Sequence, residues 1–478
     1  MEVSTKQLQI AELAATRPEE SFTSLNHYLD MDWMKEAYRR TRRESAPGVD
    51  GQTMEEYGKE LESNLQELIG LAKSGRYQAP PVRRVHIPKG DGKETRPIGI
   101  PTCQDKVLQR AITMLLEPIY EQEFMECSFG FRPGRSAHDA LQYLWKQCMD
   151  NQVRWILDVD IRSYFDTLDH AKLREIVSQR VRDGVVRKLI DKWLKAGVME
   201  AGELSYRAQG TPQGGVISPI LSNIYLHEVL DKWFAHEVKV RLKGRAFLVR
   251  YADDFVMGFE YEEDAQRVYA VLPKRFGKYG LNLHPTKTRL IPFGRPCTEQ
   301  KGSQRTAEQG KGVFDFLGFT HYWGKTRKGG YAVKRKTAAK RMSRGLKAIS
   351  QWMQSQLHWP IRDQWEKLVQ KLNGHFAYYG ITGNAEALER FRDAVKRLWH
   401  KWLNRRSRQS GGMSWERFEE LLKQFYPLPP PRVVHSIYAA KSSPEEPYAL
   451  IGLVRDCGGS QPATAGSTRK YRSSGVQE

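Results

Sequence analysis

Two adjacent aspartates, Asp253 and Asp254, interrupt the apolar segment RYADDFVMGF, residues 250–259. The residues on either side favour short strands over 246–251 and 255–259, so the pattern predicts a hairpin with a tight turn. Neighbouring carboxylates repel one another, and burying them costs free energy unless a cation compensates. The pair therefore indicates either a polar hairpin turn, in which Asp is common, or a cation site.

A third carboxylate, Asp160, lies at the end of another strand-like run, WILDVDI at 155–161. Three carboxylates on neighbouring strands would form an anionic, oxygen-rich site, which suits Mg²⁺ together with substrate phosphates and water. Two such ions about 3.5–4 Å apart can activate a 3′-hydroxyl and stabilise a departing pyrophosphate. The three aspartates therefore favour a metal site over a simple turn.

The basic residues are concentrated in one part of the chain. Of the formal net charge of +20, residues 320–437 contribute +16, with 24 Lys and Arg against 8 Asp and Glu. Between Asp315 and Asp363 the sequence has eleven basic residues and no acidic one. A solvated surface usually mixes both signs, whereas one sign over a long segment is typical of nucleic-acid binding. The distribution predicts a nucleic-acid partner.

The sequence gives no signal for a membrane or secretory location. No apolar run reaches the roughly 18–20 residues of a membrane span. The polar start MEVSTKQLQI lacks the apolar core of a signal peptide. The five cysteines are widely spaced without a C-x-x-C pair, so neither a zinc site nor a disulfide framework is indicated. We expect a cytoplasmic protein with no membrane partner.

Strand and helix patterns alternate over the first two thirds of the chain, which predicts an α+β fold. The segment 81–101 has the pattern of a hairpin around KGDGK. From about residue 335 the pattern is purely helical, with an apolar stripe beside a basic face. We therefore divide the chain into 1–330, 331–437 and a tail, 438–478, whose composition predicts poor order.

Three motifs follow one another along the chain: DVDIRSYFD at 158–166, GTPQGGVISP at 210–219 and YADD at 251–254. Together they closely resemble reverse transcriptases of the group II intron type, over about residues 25–437. The resemblance implies a right-hand polymerase, with fingers and palm of antiparallel sheet plus helices before an all-helical thumb, the maturase or X region. It implies an RNA-directed DNA polymerase that uses two Mg²⁺ ions, dNTPs, an RNA template such as group II intron RNA, and a DNA primer or target.

The resemblance assigns the metal ligands and catalytic carboxylates to Asp160, Asp253 and Asp254. Asp158 shares the strand with Asp160, but the family pattern does not require it, so we expect a surface or supporting acid there. Lys287, in LNLHPTKTRL, resembles the lysine that protonates the departing pyrophosphate.

The resemblance also implies a nucleotide-binding set. Lys89 and Arg96 match the fingers residues that clasp the triphosphate, although each could instead be a surface charge. Phe165 resembles the steric gate that excludes a ribose 2′-hydroxyl; the alternative is a core aromatic. Gln213 would contact nucleotide or template, and Gly214 would let the backbone approach the nascent base pair.

For nucleic-acid binding, Arg132 and Arg135 in SFGFRPGRSAHDAL are predicted to contact either the template or the fold. The basic helical face is predicted to follow a phosphate backbone. Its candidate residues are Lys336, Lys340, Arg344, Lys347, Arg392, Lys396 and Lys401.

Two alternatives stay open beside an active polymerase that assists splicing. One is an RNA-binding splicing cofactor whose polymerase site is unused, and the other is a reverse transcriptase adopted by its host for DNA repair or defence. The intact aspartate set favours the active polymerase, because a scaffold does not need mutually repelling acids. Only about 40 residues follow the predicted thumb, without paired cysteines, so we expect no metal-dependent HNH nuclease of the kind many relatives carry.

Overall fold

The computed structural model describes residues 2–89, 94–150, 152–200, 202–205, 210, 214–296, 312–406 and 412–436. The chain forms two compact units, the first ending at Ala338 and the second beginning at Ala339. Within the described ranges, no helix is both long and apolar enough to cross a membrane.

Unit 1 opens with helices that pack around one long central helix, α5. Polar residues fix the starts of several of these helices: the Asp30 carboxylate accepts the Trp33 N–H at α2, and Thr53 and Glu56 form a reciprocal capping box at α3. The first five helices are α1 (Val3–Thr16), α2 (Met31–Arg39), α3 (Met54–Lys59), α4 (Leu61–Lys73) and α5 (Cys103–Tyr120).

Further helices of unit 1 connect and cover its strands. They are α6 (Ala137–Asp150), α7 (Tyr164–Thr167), α8 (His170–Arg180), α9 (Gly184–Leu194), α10 (Ser218–Leu226) and α11 (Glu262–Gly277). A π-helical stretch, His227–Val238, continues directly from α10.

The described part of unit 1 holds three small sheets, whose strands pair antiparallel except for the parallel pair β1 and β4. The first has the order β2-β1-β4-β5, and the second, the sheet of the candidate site, has the order β6-β7-β3-β8. The first contains β1 (Val82–Lys89), β2 (Glu94–Ile100), β4 (Val198–Glu200) and β5 (Glu203–Ser205); the second contains β3 (Trp155–Asp160), β6 (Ala246–Tyr251), β7 (Asp254–Phe259) and β8 (Arg289–Pro292).

A third sheet lies at the end of unit 1. One of its strands extends beyond the predicted domain boundary. Its strands are β9 (Phe314–Phe316), β10 (Phe319–Lys325) and β11 (Tyr331–Thr337). We placed the boundary at 331, but β11 pairs with β10 along its length and therefore belongs to unit 1. Lys336, predicted on a helix, lies on β11 opposite Thr320.

The core of unit 1 joins α5 to the β6-β7-β3-β8 sheet. Alternate residues of β3, such as Leu157 and Val159, and of β7, such as Phe255 and Met257, are buried in the same apolar cluster as α5. Since alternate residues of a strand face opposite sides, this buried face fixes the register of the strands. The predicted α+β class with antiparallel sheets is confirmed.

The regular elements described in unit 2 are all helices, which begin at Ala339; residues 331–337, predicted to belong to the helical region, form β11 instead. The core of unit 2 includes Ile349 and Met353, which belong to the predicted apolar stripe, together with Phe391 and Trp399. The helices are α12 (Ala339–Ser355), α13 (Ile361–Tyr379), α14 (Ala385–Leu403) and α15 (Trp415–Gln424). The predicted tail, 438–478, lies outside the described residues.

Candidate active site

The paired aspartates lie at the hairpin turn that joins β6 to β7. Tyr251 pairs with Asp254, so Ala252 and Asp253 form a two-residue turn, and Ala252 has the left-handed φ of 58° that such turns use. On the other side of β7, Asp254 pairs directly with Asp160 at the end of β3. Directly opposed residues have Cβ atoms about 4.5–5.5 Å apart. The fold therefore brings two predicted ligands face to face and places the third beside them.

The electrostatics of Asp253 show how close these groups are. Burial raises the pKa of the half-buried Asp253 carboxyl, and the negative charge of Asp160 raises it further. The positive charges of Arg96 and Arg250 act in the opposite direction. A buried carboxyl whose pKa is raised further by a neighbouring carboxylate is typical of a site that a cation stabilises.

Lys287 also lies at this site. Its ammonium Nζ is 2.9 Å from Asp160 Oδ2, and the backbone N–H of His284 donates to the Asp160 carbonyl oxygen over 2.7 Å. The turn before β8 is thereby attached to the end of β3. Because both charged side chains are largely exposed, the ion pair contributes little stability and can open easily.

The donor atoms of the site suit a hard divalent cation. All three candidate ligands offer carboxylate oxygens, and Asp160 and Asp254 are directly opposed. In the described ranges no three His, Cys, Asp or Glu side chains converge into a ready-made metal cage. Mg²⁺ is usually held by one or two carboxylates together with substrate phosphates and waters, so this open arrangement fits it.

Asp158 has a different environment from Asp160, although they share a strand. Its carboxylate is 2.9 Å from Nη2 of Arg289, its partner residue on β8. Burial raises the pKa of the Asp158 carboxyl, and the Arg289 guanidinium counteracts that rise. Asp158 is thus neutralised by an arginine on the neighbouring strand.

Among the predicted nucleotide-binding residues whose side chains the structure describes, Arg96 is the one whose positive charge acts on an aspartate of the site. It is an exposed residue of β2, and its charge acts on the Asp253 carboxyl. Lys89 ends β1, but its side chain lies outside the described part of the chain, as does the whole of Gln213.

Gly214 is required where it stands by both conformation and packing. It has a φ of 115°, and a Cβ on it would lie 2.5 Å from the carbonyl oxygen of Gly99 on β2. Gly214 is therefore packed against the strand that carries Arg96.

Phe165, the predicted gate, is half-buried on α7 and packs edge-to-face against Tyr164, with ring centroids 5.3 Å apart. Gly210, with a φ of 89°, lies so close that a Cβ on it would be 2.8 Å from the Phe165 carbonyl oxygen. The first residue of the same motif therefore supports the backbone of the predicted gate.

Arg132 and Arg135 differ in what they can contact. Arg132 is buried, its guanidinium bonded to both carboxylate oxygens of Glu121 and to the carbonyl oxygens of Met125 and Ser128. Of its two predicted roles, this geometry gives Arg132 the fold contact. Arg135 is half-buried with its guanidinium 5.3 Å from the centre of the Phe129 ring.

The basic residues predicted to follow a phosphate backbone also fall into two groups. Lys396 forms an ion pair with Glu419 and lies over the Trp415 ring, and Arg392 donates to the Leu428 carbonyl oxygen over 3.3 Å. These two side chains are partly used within unit 2. The exposed members of the set are Lys336 on unit 1 and Lys340, Arg344, Lys347 and Lys401 on unit 2.

A buried polar network, which none of the sequence motifs predicts, lies beneath the turn. Arg250, at the end of β6, is fully buried and forms a two-bond ion pair with Asp231. An arginine within the apolar run AFLVRY was the available signal, because such a residue requires a buried partner.

The amino-acid sequence is similar to a known protein family and to several known proteins. A model of the family "Reverse transcriptase (RNA-dependent DNA polymerase)" matches residues 87–321. Protein YkfC of Escherichia coli (strain K12) is 38% identical over 291 residues, which cover 54% of this chain and 76% of that protein.

Two further relatives carry names that refer to introns. The group II intron-encoded protein LtrA of Lactococcus lactis subsp. cremoris is 39% identical over 289 residues, 59% of this chain and 46% of LtrA. The mitochondrial protein Nuclear intron maturase 2 of Arabidopsis thaliana is 29% identical over 174 residues, 28% of this chain and 24% of that protein. The match to this chain thus spans about half the length of LtrA.

Proposed function

Because this chain belongs to the group II intron-encoded reverse transcriptases, a family of RNA-directed DNA polymerases, we propose that it extends a DNA primer on an RNA template with dNTPs. The observation that carries the proposal is the direct opposition of Asp160 and Asp254, with Asp253 beside them and the charge of Arg96 within range. The finer proposal is that these carboxylates hold two Mg²⁺ ions.

Bound Mg²⁺ ions would activate the primer 3′-hydroxyl and stabilise charge on the leaving pyrophosphate. The protein's own residues provide orientation. Arg96 can bind triphosphate oxygens through its planar guanidinium, which suits phosphate geometry. Gly214 lies against β2, and we propose that the nucleotide lies between that strand and the catalytic turn.

Lys287 can serve as the proton donor in the same step. Its ammonium lies at Asp160, at the edge of the carboxylate cluster. When the Asp160 carboxylate engages another cation, the exposed lysine is free to turn to the pyrophosphate, where a proton transfer would assist departure.

We further propose a maturase role, in which the chain binds group II intron RNA and assists its splicing and mobility. The exposed cations Lys340 and Arg344 on α12 and Lys401 on α14 support it, because sequence-independent binding to a polyanion needs such a surface. The names of LtrA and of Nuclear intron maturase 2 point the same way. We also propose a cytoplasmic location, in which nucleic-acid templates and targets are accessible. A splicing cofactor without polymerase activity and a repair or defence enzyme stay the alternatives.

Primer extension on an RNA template with dNTPs and Mg²⁺ tests the polymerase proposal. We expect Asp160→Asn, Asp253→Asn and Asp254→Asn each to lower the rate at least about a thousandfold, roughly 4 kcal/mol of barrier, while RNA affinity is retained. Asp158→Asn is the matched control, since it makes the same change on the same strand outside the cluster. It should keep the rate within about tenfold.

Two results would contradict the proposal. If Asp158→Asn lost as much activity as Asp160→Asn, the effect would be one of folding. If the wild type bound RNA and promoted splicing without extending a primer, the chain would be a splicing cofactor. Splicing assistance is measured separately, with intron RNA at fixed salt in the presence and absence of the protein.

A further inference from the structure

The catalytic turn rests on a buried polar network that the proposed chemistry does not use. Arg250 has 0% of its surface exposed, and Asn223 and Asp231 each have 1%. The Arg250 Nε and Nη2 donate to the two carboxylate oxygens of Asp231 over 2.8 and 2.6 Å. This pair neutralises the buried charge and fixes the plane of the guanidinium.

The remaining guanidinium nitrogen is directed to the turn itself. Arg250 Nη1 donates to the Ala252 carbonyl oxygen over 3.1 Å and to Asn223 Oδ1 over 2.9 Å. Two well-packed apolar residues in place of the Arg–Asp pair could stabilise a fold equally well. They could not donate a hydrogen bond to the peptide that precedes Asp253, and this bond is what the charged pair adds.

Asn223 connects the turn to a third element, the segment 127–130. Its Nδ2 donates to the Gly130 carbonyl oxygen over 2.7 Å. The segment runs beside β6, because the Arg250 N–H donates to the Cys127 carbonyl oxygen and the Phe129 N–H donates to the Arg250 carbonyl oxygen. It therefore forms an outer wall along the end of β6.

Gly130 makes this wall fit the turn closely. A Cβ at this position would lie 2.3 Å from the backbone nitrogen of Ala252, closer than any side chain tolerates. Arg132 also binds this segment, because its guanidinium donates a hydrogen bond to the Ser128 carbonyl oxygen.

We propose that Arg250 and Asn223 are positioning residues that fix the 252–253 turn against the segment 127–130, so that Asp253 and Asp254 stay beside Asp160. The inference rests on the proposed polymerase function, for which it identifies what holds the carboxylates in place. A single misplaced turn would separate ligands that must act together. The motif SFGFRPG thereby gains a role as the wall of the catalytic turn.

The test compares Asn223→Ala with Asp264→Ala in the full chain. Each variant removes a side chain that is 1% exposed and makes two hydrogen bonds, which are buried for Asn223 and part-buried for Asp264. Asn223 acts at the turn that follows β6, whereas Asp264 binds the N–H groups of Lys243 and Gly244, just before β6 begins. The two variants therefore separate loss of stability from loss of positioning.

Two measurements are made on both variants. Without metal, amide hydrogen exchange in the peptide that contains the 252–253 turn should be about tenfold faster in Asn223→Ala than in the wild type or Asp264→Ala. In primer extension, the Mg²⁺ concentration for half-maximal rate should rise about three- to tenfold in Asn223→Ala alone, with primer–template Kd unchanged. Arg250→Lys should raise it as well.

Equal effects of Asn223→Ala and Asp264→Ala on exchange and on Mg²⁺ dependence would overturn the inference, because the network would then serve folding alone. If Arg250→Lys does not fold, Asn223→Ala still decides, since it removes the hydrogen bonds that join Arg250 and Gly130 at the turn. Failure of the proposed function would give a different result, because the wild type would then not extend a primer at any Mg²⁺ concentration. The hydrogen-exchange data would still decide whether the network fixes the turn.

Discussion

Phe165 illustrates how one residue would set substrate choice. It is half-buried on α7, and its backbone is supported by Gly210. If its ring excludes a ribose 2′-hydroxyl, Phe165→Val should lower the preference for dNTP over rNTP by about tenfold or more, which is ~1.4 kcal/mol, with dNTP incorporation largely kept. The measurement is single-nucleotide extension with each sugar.

The control for Phe165 is Phe22→Val, which makes the same change at a half-buried phenylalanine that packs on Arg180. It should leave the sugar preference unchanged. An unaltered preference in Phe165→Val would make Phe165 a core aromatic, the other role that its sequence allows.

At the residue scale, the sequence predicts which side chains could take part in the reaction better than it predicts which groups they pair with in the fold. Asp160, Asp253 and Asp254 are identified by local motifs, and the strand pairing brings them together as their order implies. The ion pairs of Lys287 and Lys396 could not be predicted, because each partner is brought close only by the tertiary fold. A motif specifies a residue type, whereas burial and pairing depend on distant parts of the chain.

Asp183 shows how one carboxylate can join two elements. It caps α9 by accepting the N–H groups of Val185 and Val186, and its other oxygen accepts those of Leu25 and Asn26. Burial raises the pKa of Asp183, but the bonds from Val186, Leu25 and Asn26 outweigh that effect, so its pKa is lowered in the fold. The charged form is therefore favoured by folding.

A carboxyl group whose pKa is lowered by folding stabilises the fold fully at pH values above its pKa in the unfolded chain. This contribution is lost as the pH falls through its pKa in the folded protein. We expect Asp183→Asn to lower the free energy of unfolding by about 1–3 kcal/mol at pH 7, because an amide NH₂ would face backbone donors. The difference from wild type should shrink as the pH falls from about 5 to 3. Urea unfolding at several pH values measures it.

Asp169→Asn provides the comparison at the element scale. Asp169 also caps a helix, α8, and its Oδ1 accepts the N–H groups of Ala171 and Lys172 in that same helix. Its loss should cost less than that of Asp183. A difference between Asp183→Asn and wild type that stayed constant from pH 7 to 3 would contradict the assigned role.

Elements with strong local patterns could be predicted, and those that depend on distant pairing could not. The hairpins at 81–101 and 246–259 and the helices of unit 2 follow from periodicity and turn residues. Strand β11 was missed because its basic residues resemble a helical face until the pairing with β10 is known. The segment 127–130 pairs with β6 at Arg250, and no pattern within the segment itself indicates that pairing.

At the scale of the whole molecule, the two units differ in the charge of their candidate functional residues. The acidic site lies on unit 1, where an opposed carboxylate pair suits metal and phosphate, and the exposed cations of α12 and α14 lie on unit 2. Composition alone predicted a nucleic-acid partner. It could not predict which cations are available, because ion pairs within unit 2 remove some of them from that role.

This division of cations leads to a prediction for RNA binding. If roughly 6–10 phosphates are neutralised, the logarithm of the association constant should fall with the logarithm of salt concentration with a slope of about −5 to −9. Lys340→Gln and Arg344→Gln, at exposed positions, should together reduce the magnitude of the slope by about 1–2. Lys396→Gln should change it less, since Lys396 is paired with Glu419.

Fluorescence anisotropy of a labelled RNA over a series of KCl concentrations gives each slope. If Lys396→Gln reduced the slope as much as Lys340→Gln, the ion pair would have to open on binding, and the cations of unit 2 could not be ranked by their exposure in the free protein.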